Sequence, residues 1–455
     1  MPEHITVLVP SCLHCGNEDE SGGSESGGST VMTVEVRPIV ADEVMAFLRI
    51  VPGLAGTPSW EPEPAAWHSG IGVAPAFDKP ASEEVLVKAA AELRDADRTR
   101  AAFVDGRLVG TSQMLSLEVT VPGSGPVPMG GLTDVAVLPT HRRRGLLRAM
   151  MRALLDDCHQ RGETLATLSA AEGGIYGRYG FGPATYQTRW ELDNTQARRA
   201  RPPEPRGRIE LVDAHTAKEQ WPLLHDRVRR TRIGEVSAHQ WLWDHNSRDA
   251  WQFLLHYDDT GTVDGAANYR TPWSPDVATA GVVEVDWLEA TSATGYSDLW
   301  MLLTGLDLTR RVIAGKRPVD EPLRWQLADP RALRITRHSD NLWVRLVDVP
   351  AALANCTYQV EGALVLDIAD SFCPWNQGYW HLDGGPDGAH CHRAVSGRAP
   401  DLTLDAVTLG SIFLGGTTLG SLAAAGLIIE HRPGALNRAI AMLTGPQAPH
   451  NAVGF

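Results

Sequence analysis

The chain of 455 residues has no apolar run near the roughly 20 residues that a membrane-spanning helix requires. No such span is expected. Its first residues, Met1-Pro-Glu-His-Ile, lack the basic n-region and apolar stretch of a secretory signal, so a cytoplasmic location is expected. Cysteine is scarce, six in all, which excludes a disulfide scaffold. Cys12-Leu-His-Cys15 is the one close pair, and no second Cys-x-x-Cys completes four zinc ligands. In His390-Cys391-His392 adjacent strand residues point to opposite faces, so that cluster is read as structural and no metal is expected. A net positive charge is also missing. A net charge of −14 argues against a nucleic-acid face and favours cationic substrates through long-range attraction.

What is present is globular, with 43% hydrophobic and 21% charged residues. The length predicts two to four domains. Residues 16–30, rich in Gly, Ser and Glu, cannot bury a core, so residues 1–31 are expected to be a disordered tail and linker. Folding is expected from the alternating strand Met32-Thr-Val-Glu-Val-Arg-Pro. Helices are predicted over 42–50 and 82–94, the second capped by Ser82, with an irregular or lid-like region over 52–80. A hairpin over 101–111 turns at Asp105-Gly106, and strands follow over 113–122, 131–138 and 165–171. A Pro/Arg-rich linker over 197–208 precedes a second strand–helix unit. That unit has strands over 251–257 and 282–288 and a helix over 297–308, with no Arg-x-x-Gly loop after its central strand. The last third reads as strands at 342–350, 360–367, 379–382 and 401–405. Its helices begin at Pro350 and cover 408–413 and 435–442, and the tail 449–455 has no helical pattern.

Two stretches carry chemistry. In the first, Val135-Ala-Val-Leu-Pro-Thr-His-Arg-Arg-Arg-Gly-Leu-Leu-Arg148, an apolar strand turns through a basic loop into a helix. Leu146, Leu147, Met150, Met151, Leu154, Leu155 and Cys158 recur at helical spacing, Thr140 is the expected N-cap, and Gly162 closes the run. Arginines and a glycine at a helix start suit a pyrophosphate, because unpaired N–H groups and the positive end of the helix dipole meet there. The alternative is a solvated basic turn. Arg142-x-x-Gly145-x-Leu147 resembles the acetyl-CoA pyrophosphate loop of the GNAT superfamily, Arg/Gln-x-x-Gly-x-Gly/Ala, with Leu147 departing from the small third residue.

The second stretch is Ala171-Glu-Gly-Gly-Ile-Tyr176-Gly-Arg-Tyr179-Gly-Phe181-Gly-Pro-Ala-Thr185. Its glycines permit tight turns and close ligand approach. Tyr179 and Phe181 are expected to fill the core. Tyr176, set among glycines, is the candidate general acid.

Together these stretches resemble the enhanced intracellular survival (Eis) family of GNAT acetyltransferases. The resemblance extends to 342–353, to Leu409-Gly-Ser-Ile-Phe-Leu-Gly-Gly416 and to the terminal Phe455, and so covers about 33–455. It implies an α/β (α+β) fold class: two tandem GNAT-type domains followed by a sterol-carrier-protein-like α+β domain. The expected bounds are 32–196 for the catalytic domain, 197–332 for a degenerate second copy, and 333–455 for the last domain, whose C-terminus enters the active site. It further implies acetyl-CoA as donor, a small-molecule amine of aminoglycoside or polyamine type as acceptor, and a homohexamer. By position, Tyr176 would be the general acid and the α-carboxylate of Phe455 the general base. Val135, Ala136 and Val137 would bind the pantetheine arm, Arg143, Arg144, Gly145, Leu146, Leu147 and Arg148 the pyrophosphate, and Ala171 and Glu172 would touch the donor. Asp134 stands where the family often has an aromatic residue, and Gly454 where its best-known members have an acidic one. Asp134 and Trp67 are candidate substrate residues. The alternatives are a lipid-binding protein working through the C-terminal domain and a protein-lysine acetyltransferase.

Overall fold

The computed structural model describes residues 5–9 (backbone), 32–51, 81–201, 206–240, 242–243, 251–272, 281–395 and 397–455. The expected linker 16–30, the lid-like region 52–80, Trp60, Trp67, Cys12 and Cys15 lie outside them. The described residues fall into two compact units, one holding those up to 116 together with 132–161, the other 117–131 and 162–455. The segment 32–196, expected as one domain, is therefore divided between them. Among the described residues no helix is long and apolar enough to cross a membrane.

In the first unit, strand Met32–Arg37 pairs antiparallel with Ala101–Val104, which turns back through Asp105 and Gly106 into Arg107–Val121. Both turn residues have positive φ, 48° and 77°, as the turn read from Asp-Gly requires. Ile5–Val9, placed in the disordered tail by the sequence reading, instead forms a strand antiparallel to Met32–Arg37. Helix Glu83–Glu92 begins where Ser82 accepts a hydrogen bond from the Val85 N–H at 3.4 Å. Helix Leu146–Gln160 buries Leu146 and Met150 against Val34, Val36, Ala102, Val104 and Val109. Gly162 follows its end at φ 73°.

The second unit holds two further sheets. One runs in the order Leu333–Asp340, Tyr186–Asp193, Arg311–Arg317, Val282–Ala290, Val263–Arg270, Gln252–Tyr257, Arg208–Val212. Its core packs Trp190 against Trp300, rings tilted with centroids 5.0 Å apart, with Leu192, Leu254, Val283 and Leu299. The other sheet is Gly388–Arg393, Gly378–Gly385, Gly362–Ala369, Leu402–Asp405, Ile428–Glu430. His392 and His381 oppose each other across neighbouring strands there, while Cys391 opposes Leu382. This is the alternation that keeps His390, Cys391 and His392 from converging.

Strand pairing does not respect the expected linear boundaries. Tyr186–Asp193, assigned to the first domain, pairs with Arg311–Arg317 and Leu333–Asp340 of the following region. Leu342–Leu346, assigned to the last domain, pairs antiparallel with Leu165–Ser169 and with Gly182–Pro183. The physical driver is burial: Val344 and Leu165 are almost wholly enclosed in this pairing. Helix Ala406–Phe413 then covers the exchanged strand. A Cβ at Gly410 would lie 2.2 Å from the Val344 carbonyl, and one at Gly182 would lie 2.0 Å from the Val407 carbonyl. Backbone approach that close requires glycine on both sides.

Candidate active site

The basic loop is built by two breaks in the chain. Pro139–His141 forms a 3-10 turn rather than the start of the helix, and Thr140 hydrogen-bonds His141 Nδ1 at 2.8 Å. Arg143 and Gly145 then adopt left-handed backbone, φ 62° and 78°. The helix starts at Leu146, and Thr140 is not its N-cap. Gly145 occupies that position, without a side-chain cap and with no acidic residue in the first turn. Its N-terminal N–H groups thus receive no internal anion from the helix itself, as a phosphate site requires. Arg142, Arg143, Arg144 and Arg148 are exposed, and Arg144 Nη2 donates to the Thr140 carbonyl at 3.2 Å. Positive charge from Arg144 and Arg107 adds to burial in lowering the His141 pKa. Leu146 is buried and Leu147 packs against the same core, so both can serve a ligand only through their backbone.

Val135, Ala136 and Val137 end the strand Gly125–Val137. Asp134 interrupts its regular backbone with φ 55°, and the Thr111 hydroxyl donates to its carbonyl at 2.8 Å. Burial pushes the Asp134 carboxyl up to about 6.

In the second unit, Met129–Gly131 pairs parallel with Leu165–Thr167. Leu165–Ser169 leads to exposed Ala171 and Glu172, then to a helical turn, Gly173–Tyr176, and a 3-10 turn, Gly177–Tyr179. Tyr176 is buried and meets the Phe181 ring edge-on at 6.4 Å. Burial, with the nearby Tyr179 and Glu172, pushes its hydroxyl up to about 12, so it keeps its proton throughout the working range. Tyr179 and Phe181 are core residues, as expected. Gly180 and Gly182 are approached closely by the protein's own atoms. A Cβ on Gly180 would strike the Arg345 guanidinium, and Gly182 serves the helix packing described above.

The tail 449–455 has no regular secondary structure and is almost wholly buried. Phe455 is 7% exposed, and its ring lies 3.1 Å from where a Gly131 Cβ would stand. The chain end therefore reaches the last paired residue of the parallel strand. Hydrogen bonds hold the tail, among them His450 N–H to the Ile233 carbonyl at 2.9 Å, Asn341 Nδ2 to the Asn451 carbonyl at 2.7 Å, and Ala452 N–H to the Glu235 carboxylate at 2.9 and 3.1 Å.

Glu235 belongs to a set that sequence reasoning missed. His225, Glu235 and Glu289 are all buried, with one ligand atom from each within 4.8 Å of the others. His225 Nδ1 faces Glu289 Oε2 at 3.1 Å, and its Nε2 faces the Val236 carbonyl at 2.9 Å. Burial works against charge on His225, but the Glu289 carboxylate outweighs it and raises the pKa. Burial and Glu289 raise Glu235. The three residues are scattered over 64 positions, so no spacing motif announces them. The one local signal is Glu289 directly after the buried pair Trp287-Leu288.

Family models match three segments: an acetyltransferase (GNAT) domain at 72–184, a second acetyltransferase (GNAT) domain at 234–346, and a sterol carrier protein domain at 349–452. An uncharacterized N-acetyltransferase of Streptomyces avermitilis is 38% identical over 360 residues, covering 76% of this chain and 85% of the relative. The N-acetyltransferase Eis of Mycobacterium tuberculosis is 34% identical over 336 residues, 70% of this chain and 78% of that protein. The crystal structure of Eis1 from Mycobacterium abscessus superposes with a TM-score of 0.76 at 30% identity, over 92% of this chain and 100% of that one.

Proposed function

We propose that this chain, which belongs to the Eis family of GNAT-superfamily N-acetyltransferases, moves an acetyl group from acetyl-CoA directly to an amine of an aminoglycoside-like or polyamine substrate. The donor supplies a thioester-activated acetyl group. Arg143, Arg144 and Arg148, with the uncapped N–H groups at Leu146 and Leu147, would hold its pyrophosphate. Val135, Ala136 and Val137 would hold the pantetheine arm, and Ala171 and Glu172 would touch the donor.

An amine attacks only as the free base. The α-carboxylate of Phe455 accepts the ammonium proton, directly or through one water. An α-carboxyl ordinarily titrates near 3.5, so it is ionised at neutral pH. The amine nitrogen then bonds to the acetyl carbon as the C–S bond breaks. The Tyr176 hydroxyl, kept protonated by burial, donates to the departing sulfur, and the second proton that the nitrogen loses as the amide forms restores the tyrosine. The observation that carries this reading is the burial of Phe455 against Gly131, which pairs with the strand that leads into the Tyr176 turn.

Negative charge favours a cationic acceptor, and Asp134 and Trp67 are its proposed contacts. On the family resemblance the assembly is a homohexamer, which sedimentation would test. Lipid binding is the weaker reading. The apolar interior formed by Leu353, Leu366, Leu382, Leu404, Phe413 and Leu443 leaves only about 10 Å³, the room of about one water.

The test is thiol release from acetyl-CoA with panels of polyamines and aminoglycosides. Tyr176→Phe should lower kcat about 100-fold or more. Adding two residues after Phe455 should lower it comparably, because it moves the carboxylate and touches no side chain. Full activity in the extended protein would overturn the terminal base, and no thiol release with any amine would overturn the reaction.

A further inference from the structure

We propose that Glu235, in the second GNAT-type region, is the positioning residue that anchors the chain end and so sets where the Phe455 carboxylate stands. This deepens the function proposed above and rests on it.

The segment around Glu235 is itself fixed on both sides. The Thr120 N–H donates to the Glu235 carbonyl at 3.0 Å, Gly234 N–H to the Thr120 carbonyl at 2.8 Å, and Ser237 N–H to the Glu118 carbonyl at 2.9 Å. On the other side lies the tail. Both carboxylate oxygens of Glu235 receive the Ala452 N–H. The one N–H is shared between the two oxygens, and a buried amide that lost this acceptor would bear its full desolvation cost. From Ala452 three residues remain to the terminal carboxylate, a reach of about 10 Å when extended. A small rotation at Ala452 therefore displaces the carboxylate by several ångströms. Misplacing a reacting group by about 1 Å can cost about 100-fold in rate.

The cost of burial points the same way. A buried set of two carboxylates and a histidine is weak support for stability, since desolvation cancels most of its attraction. Trp243 stands edge-on to His225 at 5.3 Å, closing the set off from water. Such a set is better explained by geometry it imposes than by energy it supplies. His225 orients Glu289 and the Val236 carbonyl, and Glu235 holds the tail. Each of the three side chains already has a partner, so the arrangement reads as a hydrogen-bonded anchor rather than a metal site. The region that offers no phosphate loop thus contributes to the reaction by fixing the catalytic terminus.

The experiment compares Glu235→Ala, Glu235→Gln, Ala452→Pro and the protein extended beyond Phe455. The readouts are kcat, KM for acetyl-CoA and amide hydrogen exchange at 450–453. In Glu235→Ala the tail amides should exchange faster and kcat should fall about 100-fold, with KM for acetyl-CoA within about twofold. Glu235→Gln keeps a neutral acceptor and should restore most of kcat. Ala452→Pro removes the donor while leaving the buried set intact, so it decides the matter if Glu235→Ala fails to fold; it should match Glu235→Ala. Unchanged tail exchange in Glu235→Ala, or full kcat with a loosened tail, would overturn the anchor while leaving the terminal base standing. Full kcat in the extended protein would overturn the terminal base by itself. A stoichiometric divalent metal in the purified protein, whose chelation lowers kcat, would replace the hydrogen-bonded anchor with a metal site.

Discussion

After strand Gly125–Val137 the chain enters helix Leu146–Gln160 through a left-handed glycine, with arginines around an uncapped N-terminus. After strand Val282–Ala290 it enters helix Ala293–Thr304 through Ser292, whose hydroxyl caps the Gly295 N–H at 2.9 Å and donates to Asp264. Both strands pair parallel with the strand that follows their helix. The order of elements is the same and the chemistry at the helix start is opposite. In the second region a Cβ on Gly295 would lie 3.1 Å from Asp264 Oδ1, so a carboxylate of the protein itself stands beside the first turn of this helix. Asp264 is fixed in turn by His256 Nδ1 at 2.5 Å, and His256 Nε2 faces Asp298 at 3.3 Å. This helix start is capped from within the protein, unlike the one at Gly145.

The comparison can be broken most severely at Asp264. Asp264→Ala leaves His256 and Ser292 without their buried acceptor and should destabilise the fold by about 3 kcal/mol, read as a lowered midpoint in denaturant. Acetyl-CoA affinity should stay as in the unaltered protein. Appearance of a second acetyl-CoA site would mean that Asp264 alone separates the two regions. Next comes the basic loop. Arg143→Ala with Arg144→Ala should weaken acetyl-CoA binding about 10- to 100-fold by calorimetry, with the loss shrinking at high salt. Unaltered affinity would reduce the loop to a solvated basic turn. The smallest effect concerns Asp134 of the first region. Burial raises its pKa to about 6, so the folded state prefers it protonated, and stability falls as pH rises from about 4 through 6. Asp134→Asn should therefore be more stable than the unaltered protein above pH 6, by on the order of 1 kcal/mol, and indistinguishable below pH 4. Equal stability at pH 8 would show that the group is better solvated than its burial suggests.

Much of the first region was legible because its signals are local. The Ser82 cap, the Asp105-Gly106 turn and the apolar stripe from Leu146 to Cys158 each depend on residues within a few positions. Tyr179 and Phe181 were correctly placed in the core. The N-cap was misread because Thr140 has the right chemistry, while the left-handed turns at Arg143 and Gly145 delay the helix to Leu146. The exchanged strands, Tyr186–Asp193 and Leu342–Leu346, were not legible, since each pairs with segments more than 100 residues away. Glycine was ambiguous for the same reason: at Gly180, Gly182 and Gly410 it serves packing by distant elements, which a local pattern cannot separate from ligand approach. The family resemblance supplied Phe455 as a site residue, and the structure supplies what holds it.

On the proposed function, one region binds the acetyl donor and the other does not. Calorimetric titration of the full chain with acetyl-CoA measures this directly. One molecule should bind per chain, and binding should weaken in the Arg143→Ala, Arg144→Ala protein. Two molecules per chain, or one whose affinity ignores those arginines, would contradict it.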